Sequence, residues 1–150
     1  MCGMSRDHRK LRVFHDAHAL TVFIYRETLS FPRDEWYGIR QQMRRAVSSI
    51  PTNIVEGSAR RTTKEYGNFL NVALGSACEV SYLVHLACEL GFLKSTNSLP
   101  GLCMSVVRQL QRLVTEVERL VEDERIRDER REHATGPKPA ARSPKPRQLT

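Results

Sequence analysis

The chain has little of what an active site usually requires. Its four cysteines, Cys2, Cys78, Cys88 and Cys103, include no CxxC pair. Cys78 and Cys88 share one expected helix and stand about 15 Å apart by helical rise, too far for a disulfide. They read as reduced, mostly buried thiols in a cytosolic protein. His15 and His18 are one turn apart, as are His85 and Cys88. A structural zinc site needs four ligands, and no second pair has zinc-like spacing. There is no glycine-rich phosphate loop, no Gly-x-Ser-x-Gly elbow and no His-Glu-x-x-His. Glu56, Glu65 and Glu79 lack the Glu-x-x-His that completes a carboxylate metal site in a helical bundle. These absences point away from catalysis, metal and cofactor alike.

Uninterrupted hydrophobic runs are also missing. The apolar stretch Val13 to Tyr25 follows four basic residues, but His15, Asp16 and His18 break it and no small-residue cleavage site follows, so no export is expected. Residues 66–88 have the length of a membrane span, yet they carry Asn68, Asn71, Glu79 and His85. One acid at mid-span alone costs about 2.5–3.5 kcal/mol. The apolar residues recur at helical intervals rather than all round, which makes this a core helix and predicts no membrane.

What is present is helix. Hydrophobic residues make up 40% and charged residues 27% of the chain, enough for one ordinary soluble domain. Four amphipathic patterns appear and no strand pattern. The first spans about Val13 to Leu29, with Val13, Ala17, Leu20, Ile24 and Phe31 on one stripe, and Pro32 closes it. The second spans about Asp34 to Gly57 on Ile39, Met43, Ala46, Val47, Ile50 and Ile54. Pro51 lies inside it and predicts a kink rather than a stop. The third spans about Thr63 to Leu90, opened by a Thr62/Glu65 capping box and closed by Gly91 at C′. Its stripe is Tyr66, Phe69, Leu70, Ala73, Ala77, Val80, Leu83, Val84, Ala87 and Leu90. The fourth opens near Pro100 and carries a seam of Val106, Leu110, Leu113, Val117 and Leu120. Short connections between long helices predict an all-α fold, an up-down antiparallel four-helix bundle.

The expected organisation is a flexible N-terminus over 1–12, the bundle over 13–121, a charged helical extension over 122–133 that frays, and a disordered basic tail over 134–150. In the extension, Asp123–Arg127 and Arg125–Glu129 are spaced to pair. The tail holds four prolines and four bases without an acid.

The net charge of +7 and the pI near 9.6 favour anionic partners. The tail supplies four of those charges. Within the folded part the excess gathers between residues 33 and 64, where seven bases face three acids. Arg40, Arg44 and Arg45 lie at one end of the second helix; Arg60, Arg61 and Lys64 lie at the other, before the third. Guanidinium forks match phosphate oxygens, and a helix start adds backbone donors, so these six residues are the candidate nucleic-acid contacts. No aromatics interleave with the bases in sequence, so base stacking is not expected. The competing reading is that the arginines only solvate the helix or pair with acids such as Glu56 and Glu79.

Three blocks carry a family likeness. The first is Leu11-Arg12-Val13-Phe14-His15-Asp16-Ala17, followed by Ile24-Tyr25 and Phe31-Pro32. The second is Glu35-Trp36-Tyr37-Gly38-Ile39-Arg40-Gln41-Gln42-Met43-Arg44-Arg45-Ala46, running into Ser49-Ile50-Pro51-Thr52-Asn53-Ile54-Val55-Glu56-Gly57 and Arg60. The third is Glu65-Tyr66, Phe69-Leu70, Ala73 and Gly75-Ser76 with Glu79. Over roughly Leu11 to Leu120 the chain resembles the bacterial four-helix-bundle proteins encoded in intervening sequences of 23S ribosomal RNA genes. That family in turn resembles the accessory variability determinants of diversity-generating retroelements. Phe14 stands where a Trp is common. The resemblance implies a ring-like homopentamer with a basic surface, a nucleic-acid role for RNA or DNA, and, in the retroelement branch, a reverse transcriptase as partner. It implies no catalytic site. Arg44 and Arg45 match the family's paired arginines and Arg60 its later one. Asn53 and Glu56 also match. Asn53 falls near the apolar stripe, where an unpaired amide would cost about 1–3 kcal/mol, so Asn53 and Glu56 are expected in an inter-helix or inter-subunit hydrogen-bond network. The alternative function is a structural adaptor whose ring docks a protein partner such as a reverse transcriptase.

Overall fold

A computed structural model describes residues 7–94 and 98–134. Four helices make up the fold: α1 (Arg12–Glu27), α2 (Ile39–Ser58), α3 (Thr63–Glu89) and α4 (Leu99–Ala134). Three short 3-10 turns accompany them, and no strand occurs among the described residues. Each helix packs on the next in sequence, and α4 also packs on α1, which closes a four-helix bundle. Between α1 and α2, Arg44 meets Tyr25 and Val47 meets Thr21. Between α2 and α3, Ser49 meets Ser76 and Gly57 approaches Phe69. Between α3 and α4, Ser81 meets Met104 and Thr63 meets Glu124. In each pair, numbers rise on one helix as they fall on the other, so these neighbours run antiparallel.

The stripes read from periodicity form the core. Leu20, Ile24, Met43, Ile50, Ile54, Leu70, Val80, Val84, Val106 and Leu110 are fully buried. On α3 the apolar stripe turns inward, while Asn68, Asn71, Glu79 and His85 face out. By length and composition α3 could cross a membrane, but its two-sidedness serves the bundle.

Helix ends follow local chemistry. At α3, the Thr62 hydroxyl accepts the Glu65 amide at 3.1 Å, and the Glu65 carboxylate accepts the Thr62 amide at 3.3 Å, a complete capping box. At its other end Gly91 takes φ 76°. There the Phe92 amide donates to the Ala87 carbonyl at 2.9 Å and the Gly91 amide to Cys88 at 3.1 Å, the Schellman pattern.

Several expectations give way. Residues 34–38 do not belong to the second helix. Gly38 leaves the helical region (φ −96°, ψ −125°), and the Glu35 carboxylate turns back to accept the Ile39 amide at 3.2 Å. Arg33–Glu35 forms a 3-10 turn instead. The flexible N-terminus gives way from Asp7 onward, where Asp7 caps the turn His8–Lys10 and His8 stacks edge-on against Phe14 at 4.8 Å. Leu90 is exposed because it caps α3 rather than lying within it, and Cys78 is exposed while Cys103 is buried.

Pro51 does not stop α2. Its missing N–H frees the Val47 carbonyl, and the Thr21 hydroxyl of α1 reaches that oxygen at 3.2 Å while also bonding the Ala17 carbonyl at 2.8 Å.

The α4 seam also shifts. Val107 and Val114 are buried, whereas Leu113 is half-buried and Leu120 is 38% exposed. Asp16 of α1 already meets Gln109 at 2.7 Å, and α1 begins at Arg12, so α4 beyond Val117 has outrun α1. The extension is helical to Ala134 and laced by exposed ion pairs. Arg125 bridges Glu122 and Glu129, each at 2.6 Å. Asp123 pairs with Arg119 rather than Arg127. Residues 135–150 of the expected basic tail lie outside the described residues.

Candidate nucleic-acid interface

The first turns of α2 place Arg40, Arg44 and Arg45 on adjacent positions of one surface, and they divide the work. Arg44 is built into the bundle. Its Nε donates to the Thr28 hydroxyl at 2.9 Å, one guanidinium nitrogen donates to the Tyr25 carbonyl at 3.0 Å, and its plane lies over the Tyr25 ring at 4.8 Å. Thr28 is fully buried, and its own hydroxyl donates a hydrogen bond to the Ile24 carbonyl at 2.7 Å. Arg44 therefore ties α2 to the last turn of α1. Burial and the neighbouring Arg40 pull its pKa below the ordinary arginine value, yet a guanidinium stays charged.

Arg45, the next residue, is exposed and has no ion pair among the described residues. Arg40 lies over the Trp36 ring at 4.9 Å, with Arg33 on the same ring at 5.8 Å. Trp36, Arg40, Arg44 and Arg45, with Tyr25 and Tyr37, wall an open cleft of about 320 Å³. Tyr25, Trp36 and Tyr37 are 42%, 45% and 88% exposed. The expected absence of aromatics among the bases therefore fails: Trp36 and Tyr37 already lie between Arg33 and Arg40 in the chain, and the fold adds Tyr25. α1 brings Tyr25 to the site, and the turn before α2 brings Trp36 and Tyr37. The available signal was Arg33-x-x-Trp36-x-x-x-Arg40, whose spacing stacks guanidinium on indole in any helix-like turn.

On the other side of Arg45 a polar cleft of about 300 Å³ runs between α2 and α3, with Glu79 on its far wall. Ser49 and Ser76 bond across it at 2.9 Å, and the Asn53 amide donates to the Ser49 carbonyl at 2.7 Å and hydroxyl at 3.0 Å. Asn53 thus reaches α3 through Ser49. Glu56 is exposed and makes no hydrogen bond or ion pair among the described residues.

The other three bases lie beyond the far end of α2, about 20–27 Å along its axis by helical rise. Arg60 packs over the Phe69 ring at 4.5 Å, and Arg61 is exposed. Lys64 faces a separate cleft between α3 and α4 that Glu118 and Glu122 also line. The start of α3 is already served by its own acid. Hydrogen bonds from Thr62, with Arg60 and Arg61 nearby, hold the Glu65 carboxyl below the ordinary glutamate range. The six expected contacts therefore form two patches, one around an aromatic cleft whose lining includes no acid, the other shared with carboxylates.

Of the histidines weighed as ligands, His15 bonds the Arg9 carbonyl at 2.7 Å and His85 lies 3.4 Å from Glu89. No cluster of three or more potential metal ligands occurs among the described residues.

Comparison with known proteins bears on this surface. No curated protein matches the chain in sequence. A crystal structure of a protein of unknown function from the S23 ribosomal protein family of Bacteroides thetaiotaomicron matches with a TM-score of 0.61. It is 20% identical, and the match covers 68% of this chain and 97% of that one, a likeness of fold. The family profile described as 23S rRNA-intervening sequence protein matches residues 9–120, which takes in all six bases and leaves out residues 1–8, the charged end of α4 and the tail. The chain belongs to the 23S rRNA-intervening sequence protein family.

Proposed function

We propose that this chain works without catalysis, as an oligomeric cytoplasmic bundle that binds the RNA or DNA backbone with little sequence preference and serves as an accessory module. The observation that supports this reading is Arg40 and Arg45 on the walls of one cleft, neither with an ion pair among the described residues. Phosphate contacts need such uncommitted guanidinium groups.

Assembly multiplies the effect. Val22 and Leu29 are exposed and line, with Tyr25, an open apolar groove of about 510 Å³ on α1. A second copy of this chain is the occupant the family likeness favours, in a ring of five. Five copies would gather roughly +35 of charge in one symmetric body. With about two phosphate contacts per subunit, log affinity for a duplex would fall with log salt at a slope near −9, against about −2 for a monomer.

A filter-binding titration of RNA and DNA against salt tests the reading. Arg40→Glu with Arg45→Glu is the proper variant, because Arg44 is needed by the fold. Binding that is undetectable at low salt, or unchanged in that variant while it remains folded, overturns it. Loss of the oligomer in the same variant, read by light scattering, would instead favour the adaptor reading, in which the ring docks a protein such as a reverse transcriptase.

A further inference from the structure

We propose that the cleft walled by Tyr25, Trp36 and Tyr37 takes an unpaired nucleic-acid strand, with a base stacked on Tyr37 and the flanking phosphates on Arg40 and Arg45. This rests on the backbone-binding reading and names its substrate class as single-stranded.

Exposed aromatics are ordinary when scattered. Here three of them border one cleft together with three arginines. Stacking platforms beside a cationic track are the recurrent solution for single strands, because every base offers a π face. A duplex keeps its bases stacked on one another and presents only its phosphates and groove edges, so Tyr37 has nothing to gain from it.

The parts differ in what they leave free. Trp36 already carries Arg40 on its ring at 4.9 Å, and Tyr25 carries Arg44 at 4.8 Å. Tyr37 is 88% exposed and offers its ring to an incoming base. Arg44 is fixed by Thr28 and the Tyr25 carbonyl, so the floor of the cleft is set before any ligand arrives. A site ordered in advance loses less entropy on binding.

Trp36 is the sole tryptophan of the chain and lies in this cleft, so its fluorescence reports occupancy directly. The experiment titrates a short oligothymidylate, and separately a duplex of equal length, into the full chain at low salt. Oligothymidylate is expected to quench Trp36 emission saturably, and the duplex to bind in a filter assay without comparable quenching. Tyr37→Ala should lower single-strand affinity by roughly 5- to 100-fold, the range for losing one base stack, and change duplex affinity by less than about twofold. Tyr37→Phe should restore it. Equal losses on both ligands overturn the proposal, as does a smaller particle mass for Tyr37→Ala, which would make Tyr37 a subunit contact. If both ligands bind, weaken together in Arg40→Glu with Arg45→Glu and ignore Tyr37→Ala, stacking fails while backbone binding stands. If neither binds at low salt, both fail.

Discussion

Three bases lie at the start of α2 and three more just beyond its end, in the loop and the first turn of α3, and the two ends of α2 are fastened to the bundle by different means. At the cleft end the attachments are polar. Arg44 spans to Tyr25 and Thr28, and the Thr21 hydroxyl reaches the Val47 carbonyl. At the loop end the attachment is steric: a Cβ on Gly57 would stand 2.8 Å from the Phe69 Cβ and 3.2 Å from the Tyr66 ring. A polar clamp uses one arginine and leaves its neighbours Arg40 and Arg45 projecting beside it. Close packing leaves Arg60 lying on Phe69, with Glu65 adding the opposite charge nearby. Equal numbers of bases in the sequence thus become unequal sites in the fold.

Reversing charge at each end gives the sharpest separation. Arg40→Glu with Arg45→Glu should weaken nucleic-acid binding by roughly 10- to 100-fold per lost phosphate contact, the range for charge-assisted hydrogen bonds. Arg60→Glu with Arg61→Glu should cost no more than about threefold, because acids already share that surface. The two double variants are compared in one filter-binding titration; equal losses would erase the distinction between the ends.

The loop end should dominate stability instead. Gly57→Val pushes methyl groups into Phe69 and Tyr66 where no room exists, an overpacking cost of about 2–3 kcal/mol that a small gain in helix propensity does not offset. Urea unfolding should show a lower midpoint with an unchanged slope. Next in size is the contrast between neighbours. Arg44→Ala should destabilise by about 1–2 kcal/mol through the lost bonds to Thr28 and Tyr25. Arg45→Ala should stay within about 0.5 kcal/mol of the parent, as an exposed residue with no partner in the fold. If Arg45→Ala is the more damaging of the two, the division of labour is misassigned.

Much of this was legible in the sequence, and what was hidden follows one rule. Interactions inside a single helix can be counted from spacing: the stripes of α1 and α2, the Thr62/Glu65 box and the Gly91 stop all come from offsets of three and four. Interactions between segments cannot. Tyr25 joins Trp36 and Tyr37 only because α1 ends where α2 begins, and no periodicity records that. Arg44 and Arg45 look alike in sequence, and only the proximity of Thr28 makes one of them structural. The start of α2 was misplaced because an apolar period says nothing about where backbone angles leave the helix, and Gly38 leaves it. The α4 seam was read past Val117 because a stripe does not say where its neighbour stops.

Pro51 gives the finest test of how the cleft end is held. In a continuous helix the Val47 carbonyl would accept the amide of residue 51, and proline has none. The Thr21 hydroxyl supplies a substitute from α1, divided between Val47 at 3.2 Å and Ala17 at 2.8 Å. Because one proton serves two acceptors, Thr21→Val should cost only about 0.5–1 kcal/mol. The informative quantity is the coupling with Pro51. In Pro51→Ala the new amide satisfies Val47 within α2, so the hydroxyl is no longer needed there and the cost of Thr21→Val should shrink. A double-mutant cycle by urea unfolding should therefore give an interaction of about 0.5 kcal/mol, near the lower limit such cycles resolve. Strict additivity would mean that Thr21 serves α1 alone and that the polar tie between the cleft end of α2 and α1 falls to Arg44.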